Sequence, residues 1–136
     1  MQTQSQSLLG LSAFLSYFAS SIGLLALFLL IYILITPYRE IALIRAGNTA
    51  AAASLSGAIL GFVLPLSSAI AHSVGLLDML IWGLVALVVQ LLGYGAARLL
   101  LPDLDRAIPA GEVATGVLLG ALSLAIGILN AACMTY

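Results

Sequence analysis

Short polar connections divide this chain into four long apolar stretches: Leu8 to Ile35, Asn48 to Ala71, Leu76 to Leu101 and Glu112 to Met134. Each approaches or exceeds the ~20 apolar residues that cross a bilayer. Hydrocarbon offers no hydrogen-bond partner to a peptide group, so a spanning segment must satisfy its own amides. The stretches therefore predict helices, since strands this apolar on both faces do not suit a membrane barrel. The expected fold is all-α and integral to the membrane, with four transmembrane helices in one domain over residues 1–136.

The first stretch would rise about 42 Å as a straight helix against a hydrocarbon core of ~30 Å. It is expected to tilt or to begin in the interface. Leu8 to Phe18 followed by Ala19, Ser20 and Ser21 also has the outline of a secretory leader. The preceding Gln2, Thr3, Gln4, Ser5 and Gln6 lack the basic residues of one, so the segment is read as a retained helix.

Small and polar residues fall in stripes. On the second stretch Ala50, Ser54, Gly57, Gly61, Pro65, Ser68 and His72 recur at steps of three or four, and on the fourth Glu112, Gly116, Gly120, Ser123, Gly127 and Asn130 do the same. Both are small-xxx-small faces, on which close backbone approach and side-chain hydrogen bonds replace the hydrophobic drive that lipid does not supply. The second and fourth helices are therefore expected to form the paired core. A shorter stripe of Gly83, Ala86, Gln90, Gly93 and Ala97 marks the third helix, with Gln90 near the midplane. Pro65 predicts a kink, because a helical proline displaces the carbonyl four residues earlier, here that of Gly61.

An internal echo accompanies the stripes. Gly23 to Leu27 (GLLAL) returns as Gly83 to Leu87 (GLVAL), and Pro37 with Ala46-Gly47-Asn48 returns as Pro102 with Ala110-Gly111-Glu112. The expected unit is a helical hairpin present twice in tandem, about residues 8–71 and 76–134. Because each unit crosses twice, the copies should share one orientation about an axis along the membrane normal.

Composition agrees with a lipid solvent. Hydrophobic residues make up 63% and charged residues 7%, where a soluble domain carries about 25% charge. All four basic residues are arginines, Arg39, Arg45, Arg98 and Arg106, and all lie in or beside the first and third connections. The positive-inside rule makes those connections cytoplasmic and both chain ends periplasmic. A net charge of -1 gives no basic stripe for phosphates, so nucleic acid is not an expected partner. The single cysteine, Cys133, excludes an internal disulfide and cysteine-rich metal sites, and no metal or cofactor is expected.

Taken together, Asn48-Thr49-Ala50-Ala51-Ala52, Gly61 to Ala69 (GFVLPLSSA), Trp82-Gly83 with Gln90, and the closing Asn130 to Thr135 (NAACMT) resemble the YjfL family of small bacterial inner-membrane proteins. The resemblance covers nearly the whole chain. It implies a multi-pass plasma-membrane protein and brings no catalytic or binding assignment.

Candidate functional residues are accordingly few. Gln90, Asn130, Ser68, Ser123 and His72 would line a pathway if the second and fourth helices enclosed one, and would otherwise join helices through hydrogen bonds of ~0.6 to 2 kcal/mol. His72 and Asp78 sit at the outer turn, either as a proton or cation access point or as interfacial polar groups. Arg98 is expected to snorkel, Arg39, Glu40 and Arg45 to be a solvated loop, and Asp103, Asp105, Arg106 and Glu112 to pair locally. One histidine, no phosphate loop and no paired intramembrane carboxylates argue against an enzyme. Two roles follow: a helix-packing scaffold or accessory subunit working with its own copies or another membrane protein, or a small oligomeric channel or transporter for an ion or small solute.

Overall fold

The computed structural model describes residues 2–134. Thr135, the end of the closing motif, and both terminal residues lie outside that range. Four helices are long and apolar enough to cross a membrane: α1 (Gln2–Ile35), α3 (Thr49–His72), α4 (Leu76–Leu100) and α6 (Val113–Cys133). Two short helices, α2 (Glu40–Arg45) and α5 (Leu104–Ala107), occupy connections that the hydrophobic pattern left as loops.

α1 starts earlier than the apolar run, because the Gln- and Ser-rich opening continues as helix. Its 34 residues would rise about 51 Å, well beyond a hydrocarbon core of ~30 Å. Its C-terminal half is anchored through buried Ser21, Leu24, Phe28 and Tyr32 at steps of three or four residues. Phe28 stacks on Phe62 of α3 with ring centroids 4.6 Å apart, and Tyr32 meets Tyr94 of α4 edge-on at 5.0 Å. Leu8, Leu11, Phe14 and Phe18 in the first half are exposed.

The connections into α3 and α6 close in the same way. Gly47 has φ 87° and Gly111 φ 79°, the left-handed region that glycine adopts without a Cβ penalty. Gly47 N–H bonds Ile44 O and Asn48 N–H bonds Leu43 O, while Gly111 N–H bonds Ile108 O and Glu112 N–H bonds Ala107 O. Each pair is a Schellman closure, which satisfies the orphan carbonyls of the preceding turn. Asn48 then caps α3 by accepting from Ala51 N–H at 2.9 Å, and its Nδ2 donates to Ile108 O at 2.9 Å. One side chain thus ties the two connections together.

Candidate functional site

The α3–α6 seam is the most extensive interface of the bundle. A Cβ placed on Gly57 would strike the backbone of Gly120, one on Gly116 the backbone of Ala50, and one on Gly127 the backbone of Gly61. Glycine is required at these positions because the opposing atoms are main chain. The order of the pairs makes α3 and α6 run in the same direction. Ser54, Gly57, Gly61, Pro65, Gly116, Gly120, Ser123 and Gly127 are all buried, and Ser68 is half-buried.

Pro65 lies within an uninterrupted α3. Gly61 O, the carbonyl it displaces, is the atom that a Cβ on Gly127 would meet. Close approach by a second glycine covers that oxygen in the absence of a regular helical bond, through the weak Cα–H···O contact that small residues permit. Ser67 is exposed, and Ser68 donates to Ala131 O at 3.2 Å instead of supporting the freed carbonyl.

Gln90, Asn130 and His72 also end on backbone. Gln90 Nε2 donates to Ser123 O at 2.7 Å, in space that exists because Gly61 has no side chain, and Asn130 Nδ2 donates to Ala86 O at 3.4 Å. Ser54 Oγ bonds Ala51 O at 3.0 Å. His72 is exposed, and its Nδ1 donates to Ser68 O at 3.0 Å. Asp78 Oδ2 accepts from Val74 N–H at 3.1 Å ahead of α4, which makes it a structural acceptor of the α3–α4 turn. Gln90 Oε1 is buried and unpartnered.

At the opposite end of the bundle the structure corrects the reading of Glu40 as part of a solvated loop. Arg39 and Arg45 are exposed, but Glu40 is 0% exposed and neither carboxylate oxygen has a hydrogen-bond partner. The hydroxyls of Tyr32, Tyr38 and Tyr94 are likewise buried and unpartnered, and Glu40 lies within electrostatic reach of all three. Burial pushes the Glu40 carboxyl up to about 8 from its ordinary value of 4.5, because desolvation disfavours the charged form. Burial also raises Tyr38, so its phenol stays protonated. No arginine compensates the acid: Arg98 pairs with Asp105 at 2.9 Å and Arg106 reaches Asp103 at 3.6 Å. Leaving a buried polar group without a partner costs about 1 to 3 kcal/mol, and more for a charged one. One sequence signal pointed this way: Glu40, Leu43 and Ile44 share one face of a short helix, which directs Glu40 inward together with the apolar residues.

The comparisons with known proteins fit this architecture. The family model described as Domain of Unknown Function (DUF350) matches residues 6–134. The UPF0719 inner membrane protein YjfL of Escherichia coli K12 is 45% identical over 126 residues, covering 93% of this chain and 96% of that protein. The UPF0719 transmembrane protein YshE of Bacillus subtilis is 29% identical over 119 residues, covering 86% and 89%. No solved structure matches. Four membrane-crossing helices, a matching domain over nearly the whole chain and inner-membrane relatives place this chain in the DUF350 family.

Proposed function

We propose that this protein is a non-enzymatic packing subunit of a bacterial inner-membrane assembly, working with further copies of itself or with another membrane protein. The observation that carries this reading is the closed α3–α6 seam. Its glycines meet backbone to backbone, and Ser68, Gln90 and Asn130 each donate to a main-chain carbonyl of a neighbouring helix, so these polar groups serve to join helices. The outer half of α1 supplies the complementary feature, a long apolar arm that the protomer leaves uncovered. Beside it a groove of about 340 Å³ between α1 and α3, lined by Leu25, Val63, Leu66 and Ser67, offers room for a partner's side chains.

The same reading includes two hairpins of common origin, supported by the matching Schellman closures at Gly47 and Gly111. It also puts the arginine connections in the cytoplasm and the chain ends in the periplasm, which reporter fusions at residues 45 and 74 would test by opposite signals. For the packing role the decisive measurement is thiol accessibility. In a Cys133→Ser background, cysteines at Gln90 and Ser123 should resist a membrane-impermeant reagent added from either side, and liposomes holding the protein should pass no ions. Labelling at both positions, with an ion flux lost on Gln90→Leu, would replace this reading with a conduit formed between copies.

A further inference from the structure

We propose that the Glu40 carboxylate and the hydroxyls of Tyr32, Tyr38 and Tyr94 form a binding site for one desolvated alkali-metal cation, beneath α2 at the arginine-loop end of the bundle. The site stands independently of the packing role. Four side chains from α1, the α1–α2 turn, α2 and α4 bury five oxygens that lack a well-formed hydrogen bond. Tyr32 meets Tyr94 edge-on at 5.0 Å, Tyr38 and Glu40 border one cleft, and Glu40 lies within electrostatic reach of all three tyrosines. Buried polar groups are nearly always satisfied, so an unpartnered set of one anion and three neutral hydroxyls asks for a ligand that accepts oxygen donors all round.

Charge selects the class. The region offers one negative charge, and the chain's own cations are engaged or exposed elsewhere, Arg98 on Asp105, Arg106 on Asp103, and Arg39 and Arg45 at the surface. A monovalent ion would neutralise Glu40, whereas a divalent ion would leave an uncompensated positive charge in a poorly solvated place. Magnesium and calcium also draw on carboxylates and retained waters, and the described residues hold no cluster of three metal-ligating acids, histidines or cysteines. Phenol oxygens that remain protonated are neutral hard donors, suited to sodium or potassium.

Access is provided by a cleft of about 300 Å³ bordered by Thr36, Pro37, Tyr38, Arg39 and Ile41, which runs up to Glu40. Thr36, on the same cleft, donates its hydroxyl proton to Ile33 O at 3.0 Å. The proton is the natural competitor. The groups around Glu40 are Tyr32 from α1, Tyr38 from the turn and Tyr94 from α4. Ser54 of α3 lies beside Tyr38, and Arg98 and Asp105, themselves paired, lie beyond Tyr94. Glu40 is therefore the group in this set that changes charge near neutrality, and cation binding should strengthen as pH rises through about 8.

The test is thermal unfolding of the purified full chain in detergent, in sodium, potassium, lithium or N-methylglucamine chloride at equal ionic strength, at pH 6.5 and 8.5. At least one alkali cation should raise the unfolding temperature saturably over N-methylglucamine, with a higher apparent affinity at pH 8.5. Glu40→Gln should abolish the shift while unfolding cooperatively. Tyr94→Phe, which keeps the ring packing, should weaken the apparent affinity several-fold, and this second variant keeps the test decisive if Glu40→Gln folds poorly. Equal unfolding temperatures in all four salts at both pH values would overturn the proposal, as would a shift that persists unchanged in Glu40→Gln. The first result would leave a protonated, purely structural acid.

Discussion

Replacing Gly127 by alanine adds one methyl group where the seam is tightest. The new Cβ would fall on Gly61 O, Cα and C, all main-chain atoms of α3, so no side chain can turn aside to make room. Restoring an ordinary separation requires the helices to part by about 1 Å along this stretch. Neighbouring contacts at Gly57–Gly120 would loosen with it. Overpacking a filled interior costs typically 1 to 3 kcal/mol, and a backbone-to-backbone clash belongs at the upper end. Gly95→Ala on α4 is the matched control, because a Cβ there meets nothing within 4 Å. With no steric cost, the lower backbone entropy of the unfolded chain should make that variant more stable by about 0.4 to 1 kcal/mol. Equilibrium unfolding in mixed micelles, titrated with sodium dodecyl sulfate, should therefore move in opposite directions for the two variants and separate them by ~2 kcal/mol or more. Equal shifts, or a Gly127→Ala protein as stable as the parent, would show that the seam is not the tight contact described above.

The other expectations concern polar groups. Gln90→Leu removes an interhelical bond of ~0.6 to 2 kcal/mol but also an unpartnered buried oxygen, so the same unfolding assay should register a net change within about 1 kcal/mol. A loss of several kcal/mol would mean that the side chain does more than join α4 to α6. Asn48→Ala removes the α3 cap and the bond to Ile108 O and should cost about 1 to 2 kcal/mol, whereas Asn48→Asp should retain the cap and lose the link between the connections. Glu40 sets a pH dependence. Between 4.5 and about 8 the unfolded chain has released this proton and the folded chain retains it, so its contribution is complete below 4.5 and is lost as pH rises through 8. In N-methylglucamine buffers stability should fall across that window, and Glu40→Gln should flatten the profile.

The membrane spans and the α3–α6 pair were legible in the sequence because lipid leaves few ways to hold helices together. Glycines at 57, 61, 116, 120 and 127 announce a backbone-to-backbone face wherever the rest of the surface is leucine and valine. Two things were hidden for different reasons. The polar residues ahead of Leu8 fell outside the first apolar run, yet Ser7 Oγ bonds Thr3 O at 2.9 Å, which lets a serine sit within a helix without competing for its amides. Glu40 was hidden by its neighbours. Flanked by Arg39 and followed by Arg45, it has the local signature of a solvated turn, and its burial arises only when Tyr32, Tyr38 and Tyr94 converge from separate segments.

The contrast between the two connections explains why this acid stands alone. Glu40 follows Pro37 by three residues, and Asp105 follows Pro102 by the same spacing, so each connection carries a carboxylate at a corresponding place. Asp105 is half-exposed and finds Arg98 at 2.9 Å, on the last turn of the helix that precedes it. The residue in the corresponding place before Pro37 is Ile33, which offers no charge. Glu40 is instead turned inward beneath α2, towards hydroxyls rather than a guanidinium. An acid that only marked a polar turn would gain more from the arrangement around Asp105, where exposure and an ion pair keep the cost of the charge small. Retaining the charge-bearing group where it is most expensive, within electrostatic reach of three buried hydroxyls that lack a well-formed hydrogen bond, is intelligible if a small cation completes the set.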